Sequence, residues 1–287
     1  MLATTLTEYK DFLHAQLCYQ LFITPLHLPV EKEYRDFARH ACELLVKNRS
    51  TVINLKSPRH HVLHCFEQTK NPNAKKILVT HGWMSRAAYM IRLIRALHQQ
   101  GFQVYALDFP AHGEAKGIQL TWMDAVSILK ETINDFGPFY AVIGHSFGGS
   151  MLLNTLNLAS QFQEWRLKKE PERVVLMSAP TRMRTPVRKL AKRLKLSGKG
   201  YLCLRELFRQ HAITDLKNLD FRHYINHAKT PFLCIHGEND DSIRPVESSV
   251  FCQQYPHASL ALLPDADHIS VLIDERVENK VCQFLAT

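Results

Sequence analysis

The run Gly144-His145-Ser146-Phe147-Gly148-Gly149 sets a serine between glycines in the pattern G-x-S-x-G. A serine hydroxyl is almost un-ionised at neutral pH, so it attacks a carbonyl only with a base beside it. The surroundings give the pattern weight. The apolar run of residues 139–144 reads as a strand, and a helical run follows to about Ala159. A sharp strand-to-helix turn lifts such a hydroxyl above a sheet, and side chains at 144 and 148 would collide across it. The first N–H groups of the helix lack intrahelical partners and point towards the reacting centre. Ser146 is therefore the candidate nucleophile. The competing readings are a plain glycine-rich turn and a phosphate loop. The latter calls for a lysine or G-x-G-x-x-G, and neither accompanies this run.

The base should follow a strand and come after the acid in the chain. Of sixteen histidines, His268 fits: it ends Pro264-Asp265-Ala266-Asp267-His268, between the last strand and the last helix. A carboxylate must hold its tautomer and stabilise the imidazolium. The run His236-Gly237-Glu238-Asn239-Asp240-Asp241 follows an apolar strand and offers Asp240 first, Asp241 as its rival and Glu238 third. Asp265 and Asp267 are read as turn caps. Two N–H donors are needed for a tetrahedral oxyanion. Phe147, next after the serine, supplies one; the loop His81-Gly82-Trp83-Met84 supplies the other, with Trp83 favoured. His81 is read as a structural histidine at a strand end. No metal or organic cofactor is required by this chemistry. His60, His61 and His64 alternate along a strand, which splits them between two faces and argues against a metal site.

The elements that must position these groups follow from periodicity. Short apolar runs near residues 75–80, 102–108, 139–144, 173–179, 230–237 and 258–264 alternate with helical runs, including 86–100, 121–136 and 271–285. That alternation implies βαβ units and a mainly parallel sheet, with sites beyond the carboxyl ends of the strands. Two further strands, from Thr51 and from His61, are joined by a turn at Ser57–Pro58. The first fifty residues carry helical patterning interrupted by Pro25 and Pro29.

The chain has 287 residues, 46% of them hydrophobic, which suits one enzyme-sized domain and excludes pervasive disorder. No apolar stretch is long enough to span a bilayer. The N-terminus shows no basic leader followed by an apolar run, so the chain reads as cytosolic. The seven cysteines form no C-x-x-C pair and read as core residues rather than a disulfide framework or zinc site. Net charge is +9, and it is concentrated. Between Thr181 and Lys229 there are thirteen Lys or Arg against three Asp or Glu. Within it, Val187, Leu190, Ala191 and Leu194 recur at helical spacing, while Arg188, Lys189, Lys192, Arg193 and Lys195 fall mostly on the other side. Three roles fit this helix: a solvated surface face, attraction of an anionic substrate, or peripheral contact with anionic lipid. Nucleic acid fits least, since no aromatic ladder or nucleic-acid motif accompanies the charge.

Taken in order, His81-Gly82-Trp83, the run from Asp108 to Gly113, GHSFGG, HGENDD and the final Asp267-His268 resemble the α/β-hydrolases. The resemblance covers the chain from about Thr51 to its C-terminus, except the basic segment. HGWMSRAA and LDFPAHGEAKG look most similar to small bacterial serine esterase-like members that also carry a helical N-terminal extension. The resemblance implies an α/β-hydrolase fold: a mainly parallel eight-stranded sheet, helices on both faces and a short helical cap. It implies a Ser146, Asp240, His268 triad. It also implies a core of residues 51–180 and 230–287, a basic cap at 181–229 inserted after the sixth strand, and a helical extension at 1–50. The extension either packs on the core or forms an oligomer contact. Relatives that open haloalkanes or epoxides use an aspartate where Ser146 stands, which argues against those reactions. The expected activity is hydrolysis of a small-molecule carboxylic ester or thioester through an acyl-enzyme. Carbon–carbon bond hydrolysis uses the same triad, and a non-catalytic binding or lipid-surface protein is the alternative of a different class.

Overall fold

A computed structural model describes residues 2–26, 29–55, 60–68, 70–211, 221 and 229–286. The turn expected at Ser57–Pro58 and most of residues 212–228 in the basic segment lie outside the described residues.

Eight short runs rich in β-branched and apolar residues form the strands: β1 (Thr51–Leu55), β2 (His61–Phe66), β3 (Lys76–Thr80), β4 (Gln103–Asp108), β5 (Ala141–His145), β6 (Arg173–Met177), β7 (Phe232–Gly237) and β8 (Ala258–Leu263). They make one sheet in the order β1-β2-β4-β3-β5-β6-β7-β8. β2 is antiparallel to both neighbours, and the pairs from β4 through β8 are parallel. The sheet is thus the expected mainly parallel one, and β3 and β5 lie side by side at its centre.

Nine helices accompany it among the described residues: α1 (Leu2–Ile23), α2 (Arg35–Asn48), α3 (Ile91–Gln99), α4 (Trp122–Phe136), α5 (Phe147–Gln161), α6 (Arg184–Arg193), α7 (Gly198–Gln210), α8 (Val246–Gln254) and α9 (Glu275–Ala286). Alternation along the strands divides the core in two. Ile77 and Val79 of β3 pack with Leu45, Ile94 and Val281, from α2, α3 and α9. Leu78, between them, packs with residues of α1, α4, α5, α6, α7 and α8 on the other face. Both faces of the sheet are covered, as parallel strands without polar alternation require.

Local chemistry sets several boundaries. Thr121 caps α4, its Oγ1 accepting from the N–H of Asp124 at 3.1 Å. The last helix starts at Glu275, four residues later than periodicity suggests: Ser270–Leu272 form a 3-10 turn, and the Asp274 carboxylate accepts the N–H of Arg276 at 2.9 Å. The helix expected from Arg86 likewise opens with a 3-10 turn at Ala87–Met90 before α3.

The N-terminal helices pack on the rest of the chain. α1 lies on α7, where Tyr19 and Phe22 meet the Phe208 ring edge-on at 5.2 and 5.0 Å. Ser197 caps α7 and donates its hydroxyl to Asp11 of α1 at 2.6 Å. α2 buries Ala41 and Leu45 in the opposite core. Among the described residues no helix is long and apolar enough to cross a membrane.

Candidate active site

β5 ends at His145 and α5 begins at Phe147, so Ser146 alone turns the chain. Its φ of 49° and ψ of −114° lie where residues with a side chain seldom sit, at a cost of about 1–3 kcal/mol. The turn is held from both sides: Ser146 donates its N–H to the Met177 carbonyl at 2.8 Å and accepts from the N–H of Ser150 at 3.0 Å. A Cβ on Gly144 would strike the backbone of Gly149, so the strand and helix approach this closely only through glycine.

Above the turn, Nε2 of His268 lies 2.9 Å from Ser146 Oγ. Nδ1 of the same ring lies 2.7 Å from Asp240 Oδ2. An ionised carboxylate only accepts hydrogen bonds, so Nδ1 carries the ring proton and Nε2 is left to accept from the serine hydroxyl. Asp240 is well fixed. Its Oδ1 accepts the N–H groups of Ser242 at 2.8 Å and Ile243 at 2.7 Å. Burial pushes the Asp240 pKa up, but hydrogen bonds from His236 and His268 outweigh it and hold the carboxyl well below the usual range. Of the three carboxylates the sequence offers after β7, Asp240 is the one that meets His268. Asp241 and Glu238 are exposed. Asp267 caps its own turn, accepting from the N–H groups of Ile269 and Ser270.

Trp83 stands in the loop after β3 and Phe147 at the first position of α5, with their rings 5.1 Å apart. Both line the cavity that holds Ser146. His81 is buried; its Nδ1 donates to the Gly82 carbonyl at 2.7 Å and its Nε2 accepts from the N–H of Phe109 at 3.2 Å. Burial lowers its pKa. It shapes the loop and does not reach the serine. Asp108 fixes the same region, accepting from the N–H groups of Ala87 at 2.7 Å and Glu114 at 2.9 Å. His64 donates to Asp108 at 2.9 Å and accepts from Arg49 at 2.9 Å, so the histidine-rich strand serves this buried carboxylate.

Sequence reasoning missed two supporting histidines. His145 holds the backbone carbonyl of His268 at 3.0 Å. His236 donates from Nε2 to Ile243 O at 2.8 Å, close to Asp240, while its Nδ1 accepts from Ser248 at 2.7 Å. Both residues stand inside the quoted motifs, beside the serine and before the acid, and that adjacency was the available signal. The walls were not readable at all. A cavity of about 440 Å³ opens over Ser146. Leu21, Phe22 and Leu26 reach it from the N-terminal segment, and Pro186, Leu190 and Arg193 from α6. Arg193, expected on the solvent face of its helix, thus faces the cavity. It follows Pro186 and Leu190 at i+7 and i+3, one stripe of a 3.6-residue turn.

Residues 77–279, well over half of the chain, match the alpha/beta hydrolase family. The chain belongs to this family. The alpha/beta hydrolase is 24% identical to the pimeloyl-[acyl-carrier protein] methyl ester esterase of Nitrosomonas europaea, over 70% of its own length and 91% of that protein's. In fold it is similar to the esterase Pf2001 of Pyrococcus furiosus, with a TM-score of 0.58 and 21% identity, covering 92% of this chain and 96% of that one. A thioesterase domain from the curacin biosynthetic pathway aligns with a TM-score of 0.56 and 14% identity, over 83% of this hydrolase and 98% of the domain. The structural likenesses speak for the fold.

Proposed function

We propose that this alpha/beta hydrolase is a serine hydrolase that cleaves carboxylic esters through an acyl-enzyme. His268 takes the Ser146 proton as Oγ attacks the carbonyl carbon. The N–H groups of Phe147 and Trp83 stabilise the oxyanion that forms. His268 then protonates the departing alcohol. Water enters, gives a proton to His268 and attacks the acyl carbon; the carboxylic acid leaves as Ser146 regains its proton. Asp240 keeps the imidazole oriented and favours its charged form throughout. No step needs a metal or a cofactor.

One observation carries this reading: the chain of hydrogen bonds from Asp240 through His268 to Ser146, at 2.7 and 2.9 Å. The methyl ester named for the Nitrosomonas europaea relative supports the ester class. The apolar walls over Ser146 suit an acyl chain. We read α6, α7 and α1 together as the cap over that chain. α6 is tied to the acid loop by Lys189, whose Nζ donates to the Asp241 carbonyl at 2.7 Å. Hydrolysis of p-nitrophenyl esters by wild type and Ser146→Ala tests the reading. The variant should lose about 10⁴-fold or more in kcat while keeping its fold. Wild-type turnover by the variant would overturn the nucleophile.

A further inference from the structure

On the serine-hydrolase reading, what the cation among the cavity's described lining residues meets bears on which ester is held. Of the seventeen described residues that line the cavity, Arg193 alone is charged; nearly all the others are apolar. Arg193 is exposed, as are Leu26 and Met84, so these three mark the mouth. Met151, Met183 and Ile243 are buried and form the inner wall. The cavity is therefore apolar towards Ser146 and positive at its opening.

The other described cations of the segment do not share this place. Arg182 is bound to the buried Glu247 through Nε at 3.0 Å and through Nη2. Lys189 is held by two backbone carbonyls, of Asp241 and Ser242. Arg188, Lys192 and Lys195 are exposed and do not line the cavity. Among the described residues Arg193 has no carboxylate partner, and no acidic side chain among them lines the cavity with it. An arginine at an apolar mouth, without a carboxylate partner among the described residues, fits a planar or tetrahedral oxyanion from outside the chain.

We propose that Arg193 is a specificity-determining residue, and that the preferred substrate is an ester whose acyl chain fills the cavity and ends in an anionic oxygen group, carboxylate or phosphate, at its mouth. The chain places that group away from the scissile carbonyl. The chemistry at Ser146 is unchanged; the cation selects which ester is held. The net positive charge of the surrounding segment adds a steering field of the same sign.

The test compares p-nitrophenyl esters of equal chain length: octanoate, the half-ester of octanedioic acid, and an octanoate carrying a terminal phosphate. Wild type should favour at least one anionic ester over octanoate by about tenfold in kcat/KM at low ionic strength, and the preference should shrink as salt is added. The larger of the two anionic preferences identifies carboxylate or phosphate. Arg193→Gln should bring the ratio close to one, and Arg193→Glu should invert it. Lys192→Gln, a solvent-facing neighbour on the same helix, should keep the wild-type ratio. A wild-type ratio near one, or a ratio retained in Arg193→Gln, overturns the inference while Ser146-dependent cleavage of octanoate leaves the serine-hydrolase reading standing. Cleavage of octanoate that persists in Ser146→Ala defeats the serine-hydrolase reading itself.

Discussion

His145 hydrogen-bonds through Nε2 to the backbone carbonyl of His268, 3.0 Å away and 123 residues further along the chain. A carbonyl only accepts, so Nε2 is protonated. Burial, aided by the nearby His268, lowers the His145 pKa to about 3, and the ring is neutral at ordinary pH. The residue before Ser146 thus anchors the loop that carries His268. His145→Ala should lower kcat by about ten- to a hundredfold with KM near wild type, since a small misplacement of a reacting group is costly. His145→Gln, a neutral donor, should recover part of the loss. Steady-state kinetics on a p-nitrophenyl ester check both.

Asp240 and Asp241 differ by one position and by environment: the first is buried against His268, the second faces solvent. Asp240→Asn should reduce kcat by about 10³- to 10⁴-fold, because an amide cannot hold the required tautomer. Asp241→Asn should stay within about threefold of wild type, as surface changes usually do. Parallel rate measurements on the two variants decide between the carboxylates.

Gly82 sits where a Cβ would come 2.9 Å from the His145 ring and 3.2 Å from the Ser146 Cβ. Gly82→Ala therefore displaces the Trp83 loop from Ser146. We expect kcat to fall by about tenfold to a hundredfold at nearly constant KM, the mark of an interaction made in the transition state. Circular dichroism should show the fold retained.

Leu190 of α6 lines the cavity together with Leu21 and Phe22 of the N-terminal segment. Leu190→Trp fills part of that space. The variant should cleave p-nitrophenyl acetate much as wild type does and lose about tenfold or more on decanoate. A rate profile over acyl length reads this directly.

Glu247 is buried and binds Arg182, Thr181 and Thr185, fastening the start of α6 to α8. Burial pushes its pKa up, but the Arg182 and Thr181 hydrogen bonds outweigh it and leave it below the ordinary value. A carboxyl depressed in the folded state contributes stability above its unfolded pKa of about 4.3, and loses it as pH falls through the folded value. Glu247→Gln should cost about 2 kcal/mol at pH 7. The gap in Tm between variant and wild type should close as pH drops below about 4.

The parts legible in the sequence share one property: their spacing is local. The strand-turn-helix around Ser146, the loops after β7 and β8 and the order of elements all follow from short runs read along the chain. The same was true of Asp240 and His268 as types in the right places. The sequence ranks Asp240 ahead of Asp241, and the structure brings Asp240 to His268; adjacent residues point in different directions, so a pattern alone leaves the neighbour as a rival. The cavity is less legible still. Leu21 and Leu190 line the same cavity although more than 160 residues separate them, and α1 is apolar on so much of its surface that periodicity does not name its buried side. Arg193 illustrates the limit: helical spacing groups it with the cations opposite the apolar stripe, yet it lines the cavity with Pro186 and Leu190.

Reaction with a fluorophosphonate probe, mapped to the modified peptide, tests the central claim most directly. The account predicts a single adduct on Ser146 of the folded wild type, absent from Ser146→Ala and formed about 10³-fold more slowly or less in His268→Ala. An unmodified Ser146 in folded protein, or labelling that proceeds at the wild-type rate without His268, would contradict it.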